Sequence, residues 1–165
     1  MTTTKRKYIE MLILLFKTII FTLLVPGIVA VIGPLLITAE VMTTDSLFLL
    51  SGLLMFVIGI SIYCWCVWDF MFFGRGTPAP VQAPKHLVVR GLYHYTRNPM
   101  YIGVLCVILA WGLLYAESFM LLYGVCVAIC FQLLVVFYEE PLLQQQFGTE
   151  YMEYKTSVNR WLLRF

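Results

Sequence analysis

Four apolar runs leave this chain few ways to fold outside a membrane. They cover residues 9–38, 47–73, 100–115 and 119–138. A membrane-crossing helix needs about 20 apolar residues, with a range of about 17–25. In lipid each span must satisfy its own backbone groups, so the runs predict helices. The first run is overlong and carries Pro26-Gly27 and Gly33-Pro34, which predict a kink or a break. The third is short for a full span and suits protein-covered surroundings or a thinned bilayer. The fold class is therefore all-α, a multi-pass membrane protein of about four transmembrane helices.

Charge agrees with this. Only 12% of residues are charged, against about 25% in soluble domains. Of the eleven Lys and Arg residues, only Lys17 lies inside a run. Lys5, Arg6 and Lys7 precede the first run. Arg75, Lys85, Arg90 and Arg97 lie between the second and third, and Lys155, Arg160 and Arg164 follow the fourth. The other connections hold Glu40, Asp45 and Glu117. This bias places both termini and the central loop in the cytoplasm. It also makes the first run a retained span, not a cleaved signal. The net charge of +2 sits at membrane boundaries and is no nucleic-acid signature. At 165 residues the chain forms one domain, 1–165, without room for a separate soluble catalytic module.

Polar chemistry concentrates at the cytoplasmic end. Arg90-Gly91-Leu92-Tyr93-His94-Tyr95-Thr96-Arg97-Asn98-Pro99-Met100-Tyr101 precedes and enters the third run, and Tyr138-Glu139-Glu140-Pro141 closes the fourth. Asn98-Pro99 reads as a helix start, with Asn as cap and Pro at the first helical position. Its free N–H groups would suit a carboxylate or phosphate. Two adjacent acids at a helix C-terminus repel each other and the helix dipole. Arg97, Arg90 or a cationic ligand could relieve them, and a plain Glu–Arg tie between spans is the bland reading. Asp69 lies among Trp65, Trp68, Phe70, Phe72 and Phe73, as an interfacial acid or as a ligand group.

The connecting segments divide by composition. Residues 74–84 are rich in Gly and Pro and form a tether or a lid. Residues 85–91 read as short and partly extended. Pro141 predicts a change of direction near Glu140. A short helix stopped by Gly148 should follow, then another capped by Thr149. Leu143, Phe147, Tyr151 and Tyr154 recur at helical spacing, so this tail lies on the bilayer surface or folds over the mouth. Trp161, with Arg160 and Arg164, suits an interfacial anchor.

Several classes find no support. The five cysteines lie inside apolar runs and read as packing residues. His86 and His94 lack metal-ligand spacing, so no metal is expected. There is no phosphate-binding Gly-rich loop and no Gly-x-Ser-x-Gly elbow.

The run 91–103, the pair Glu139-Glu140, and the tail Phe147-Gly148-x-x-Tyr151-x-x-Tyr154 with Val158-x-Arg160-Trp161 carry a resemblance. Together they resemble the isoprenylcysteine carboxyl methyltransferase superfamily, which includes phospholipid methyltransferases and small bacterial relatives. The likeness covers residues 74–165; residues 1–73, two spans, match in hydropathy alone. Asn98 stands where the family motif usually has His, and Asn cannot titrate near neutral pH.

The resemblance implies a membrane methyltransferase, set in a bacterial inner membrane. It would bind S-adenosylmethionine at its cytoplasmic face, under the C-terminal segment, and accept a lipophilic substrate from the bilayer lipids. A cationic cofactor suits Glu139, Glu140 and the faces of Tyr93, Tyr101 or Tyr138. Its carboxylate suits Arg97 and the Asn98-Pro99-Met100-Tyr101 turn, beside Gly91, and its adenine the backbone of Leu87, Val88 and Val89. A carboxylate acceptor would be held by Arg90 or Arg97; an amine acceptor needs a base, with Glu139, Glu140 and His94 available. The catalytic set is Arg97, Arg90 and Glu140. Two alternatives remain: an NADPH-dependent membrane reductase similar to sterol reductases, and a non-enzymatic membrane scaffold.

Overall fold

The computed structural model describes residues 3–38, 42–74 and 85–162. The Gly/Pro-rich tether or lid, from residue 75 onward, lies outside them, as do Glu40 and Arg164. All regular structure among the described residues is helical. Three helical segments are long and apolar enough to cross a membrane: Met11–Ile37, Ser46–Gly74 and Phe119–Phe147. A fourth apolar helix, α4 (Pro99–Tyr115), is shorter. At about 1.5 Å per residue it reaches only about 25 Å.

The first segment comprises α1 (Thr3–Leu24), a π-turn at Ile28–Ile32 and α2 (Gly33–Ile37). The run bends without ending. Pro34 has no N–H, so the carbonyls one turn back lose their helical partner. Neighbouring spans supply the missing donors: Tyr123 Oη donates to the Val29 carbonyl at 2.8 Å, and Trp111 Nε1 to that of Ala30 at 3.0 Å. The helix defect is thereby what docks this span on the others.

The second segment is α3 (Ser46–Asp69), extended by a π-turn at Phe70–Gly74. Asp45 caps it, accepting from the N–H groups of Leu47 and Phe48. Its main partner is α4, and two glycines set the distance. A Cβ on Gly59 would lie 2.7 Å from the Gly103 carbonyl oxygen, and one on Gly103 would lie 2.9 Å from that of Gly59. Only glycine at both positions lets the two backbones meet this closely. The close approach of Gly59 and Gly103 is packing within one chain.

After α4 the chain reverses through Ala116, which is left-handed at φ 50°. The N–H of Glu117 reaches the Gly112 carbonyl and closes a Schellman turn. Then follow α5 (Phe119–Leu134), a π-turn at Val135–Glu139 and α6 (Glu140–Phe147). The expected change of direction at Pro141 is not a helix end. The π-turn shifts the hydrogen-bond register, Glu140 N–H reaching back to Val135, and the proline sits at a new helical start. The helix runs on to Phe147. Gly148, left-handed at φ 53°, ends it. Gly148, not Thr149, then holds the cap position of α7 (Thr149–Ser157).

The core lies between α3, α4 and α5, around Ile108, Met120 and Phe131. The outer faces are exposed leucine, isoleucine, valine and phenylalanine, the surface a bilayer would cover. The C-terminal ends of α3 and α5 and the N-terminal end of α4 gather at one end of the bundle, and the tail closes over them.

Candidate functional site

The three polar motifs meet at this end. A short 3₁₀ turn, Gly91–His94, brings the chain into α4. Its Tyr93 is buried, stands edge-on to Phe70 and packs with Cys66 of α3. The tail then binds the other side of the same turn. Tyr154 Oη donates to the Tyr93 carbonyl at 2.7 Å, the Arg97 N–H to the Asn159 carbonyl at 2.9 Å, and Thr96 Oγ1 to the Arg160 carbonyl at 3.1 Å. Tyr151, Tyr154 and Val158 bury themselves against Leu87, Leu143 and Phe147. Of the two expected tail positions, the structure takes the one over the mouth.

Asn98 does not cap α4 with its side chain. Its Nδ2 donates instead to the Arg160 carbonyl at 3.1 Å. This residue is a tie to the tail, a role that needs a hydrogen-bond donor and no titration.

Arg97 and Glu140 form the buried centre of an ion cluster. Arg97 Nη1 lies 2.9 Å from Glu140 Oε1, Arg160 Nε 2.7 Å from the same oxygen, and Lys155 Nζ 3.0 Å from Oε2. The Glu140 carboxylate raises the Arg160 guanidinium still further above its ordinary range. Arg97 Nη1 also reaches Tyr151 Oη at 3.3 Å. Glu140 is therefore matched by three cations from the α4 turn and the tail. Arg97 Nε is buried and has no partner among the described residues.

Glu139 is differently placed. It faces a cavity of about 90 Å³ lined by Leu87, Val88, Tyr93, Arg97, Asn98 and Tyr101, and accepts a hydrogen bond from Tyr101 Oη. Among the described residues it has no ion pair. Burial pushes the Tyr93 and Tyr154 phenols well above their usual range, so both stay neutral donors. At about 90 Å³ the cavity is smaller than sites for drug-sized ligands, which run to about 300–1,000 Å³.

Five expected residues lie elsewhere. Arg90 does not join the acid pair; its Nε sits 3.5 Å from Asp69 Oδ1 and its guanidinium stacks on Phe73 at 3.5 Å. Gly91 backs onto Asp69 and Trp65, not onto the cavity. Val89 turns to the outer surface, and Tyr138 is exposed. Pro99 is buried at the start of α4 without lining the cavity. Asp69 is buried within the protein: it is 1% exposed, and its Oδ2 has no partner among the described residues. Trp161 is turned inward, its Nε1 donating to Gln132 Oε1 at 2.6 Å and its ring packing near Tyr101. Phe70, Met100, Leu143 and Tyr154 also line the cavity. The helical spacing of Leu143 and Tyr154 signalled a buried face, and Met100 lies in the expected Asn98–Tyr101 turn; nothing local marked Phe70.

The sequence model of the phospholipid methyltransferase family matches residues 47–150. The chain belongs to this family of membrane methyltransferases. It is also 35% identical over 63 residues to a protein of Haemophilus influenzae described as uncharacterized; the match covers 38% of this chain and 100% of that one. No solved structure matches.

Proposed function

We propose that this chain transfers a methyl group from S-adenosylmethionine to an amine carried by a membrane lipid. The reaction would take place at the cytoplasmic face of a bacterial inner membrane, with both chain termini on that side. The observation that carries the reading is the division of labour between the twin acids. Glu140 is neutralised by Arg97, Arg160 and Lys155, whereas Glu139 faces the cavity with a tyrosine hydroxyl as its partner.

The residues fit the cofactor's chemistry. Arg97 Nε is a buried donor in want of an acceptor, which the cofactor's carboxylate would supply. Tyr93, Tyr101 and Glu139 line the same cavity and would receive a cation. When bound, S-adenosylmethionine supplies a methyl group on a positively charged sulfur.

The acceptor class follows from where the charges are tied. Among the described residues, Arg97, Arg160 and Lys155 all engage Glu140, and Arg90 engages Asp69. That leaves Arg97 Nε for the cofactor, and among the described residues no second cation lines the cavity to hold a carboxylate acceptor. Glu139 would repel such an acceptor. It would attract an ammonium headgroup and take up the proton that frees the nitrogen lone pair. The rest of the catalysis is alignment and exclusion of water.

The test uses the full chain in lipid nanodiscs. Calorimetry should detect S-adenosylhomocysteine and not NADPH. Label from methyl-tritiated S-adenosylmethionine should enter phosphatidylethanolamine and not N-acetyl-S-farnesylcysteine, whose amine is blocked. Glu139→Gln should lower that turnover about 10²-fold or more, with the affinity for S-adenosylhomocysteine nearly unchanged. Binding of NADPH alone would support the reductase, and label confined to the carboxylate acceptor would refute the amine assignment.

A further inference from the structure

The cavity at Glu139 holds about 90 Å³, whereas sites for ligands of nucleoside size or larger run to about 300–1,000 Å³. A second hollow lies directly behind one of its walls. It is an open recess of about 550 Å³, lined by residues that include Val89, His94, Glu150 and Glu153. The partition is thin. Val88 lines the cavity and Val89 the recess; Tyr93 lines the cavity and His94 the recess. Tyr154 borders both and donates a hydrogen bond to the carbonyl of Tyr93, another cavity-lining residue.

We infer that cavity and recess are two halves of one cofactor cleft, that Tyr154 is the partition that swings aside, and that the recess receives the ribose and base of an adenosyl ligand. This rests on the methyl-transfer reading above. The buried, unpartnered Nε of Arg97 marks the inner half as the carboxylate end. The nucleoside must then extend away from it, and the recess is the adjoining space large enough. Glu150 and Glu153 are exposed there and offer acceptors to ribose hydroxyls. No Lys or Arg lines the recess among the described residues. An adenosyl ligand has neutral hydroxyls and suits such a lining; the extra ribose phosphate of NADPH does not.

The closed position of Tyr154 reduces the fraction of molecules competent to bind. Removing its hydroxyl removes one neutral hydrogen bond from the closed state. Tyr154→Phe should therefore raise affinity for S-adenosylhomocysteine about two- to tenfold. The double variant Glu150→Gln, Glu153→Gln changes two exposed side chains and leaves the fold intact. It should weaken S-adenosylhomocysteine about tenfold and abolish binding of adenosine, used as a separate probe. Calorimetry on the full chain in nanodiscs reads all of these. Normal binding by the wild type, with neither variant altering it, overturns the two-part cleft and leaves the methyl-transfer reading standing. An unchanged or lower affinity in Tyr154→Phe overturns the partition. Failure of the wild type to bind S-adenosylhomocysteine overturns the methyl-transfer reading itself and this inference with it.

Discussion

Arg97 Nη1 and Glu140 Oε1 stand 2.9 Å apart, and both side chains are buried. The pair joins the turn before α4 to the start of α6, and Lys155 and Arg160 bring in the tail. Glu140→Gln removes the one charge that all three cations share. Lys155 and Arg160 keep partial access to water, so most of the cost falls on Arg97. Stranding a buried charge costs about 3–5 kcal/mol. The variant should lose about 3 kcal/mol of stability, and its tail should be cut faster at Lys155 in limited proteolysis. A melting temperature and cleavage rate equal to the wild type would refute the latch.

Gly59 and Gly103 make a steric prediction independent of charge. The atom that a Cβ at Gly59 would strike is a backbone carbonyl oxygen, which cannot rotate away. Gly59→Ala must push α3 off α4, at about 1–3 kcal/mol. Gly124 is the control, because its nearest neighbour to an added Cβ is an Ile108 methyl group at an ordinary 3.6 Å. Gly124→Ala should melt within about 1 kcal/mol of the wild type.

The sequence spoke clearly where one physical rule decided. Hydropathy placed the spans, because lipid permits nothing but helix there. Charge imbalance at helix ends brought Arg97 to the acids. It was silent where two local solutions were equally good. Arg90 and Arg97 had the same claim on Glu139 and Glu140, and the choice turned on Asp69, whose burial beside Arg90 is a tertiary fact. Pro141 broke the pattern expected of proline because a π-turn, which has no signature in composition, absorbed the missing N–H. Asn98 was read as a cap, since a cap is local, while its true partner lies 62 residues away. Phe70 reaches the cavity only through helix packing.

Trp161 and Gln132 offer a test of the tail's inward docking. The indole N–H and the amide oxygen are 2.6 Å apart, and Gln132 lies within a membrane-crossing segment. Trp161→Phe keeps most of the ring packing and leaves the amide oxygen without its donor. Gln132→Leu strands the indole N–H. Each single variant should cost about 1 kcal/mol. The double variant should cost less than their sum, because both polar groups are then gone. Strict additivity in thermal unfolding would mean that the bond carries no coupling.

Gly91 carries the last prediction. Its φ is 59°, in the left-handed region, and an added Cβ would overlap Asp69 Oδ2 and come within 2.9 Å of Trp65 Nε1. Backbone and space therefore forbid a side chain together. The position matters because Gly91 opens the turn that carries Tyr93 into the cavity. Gly91→Ala should cost more than about 2 kcal/mol and displace Tyr93. Asp69→Ala removes the nearer clash but leaves the Trp65 contact and the backbone penalty, so it should recover only part of the loss. Adding Asp69→Ala to Gly91→Ala and measuring unfolding separates the two causes. Full recovery would show that the Asp69 clash alone fixes glycine here; no recovery would assign the loss to the backbone and Trp65.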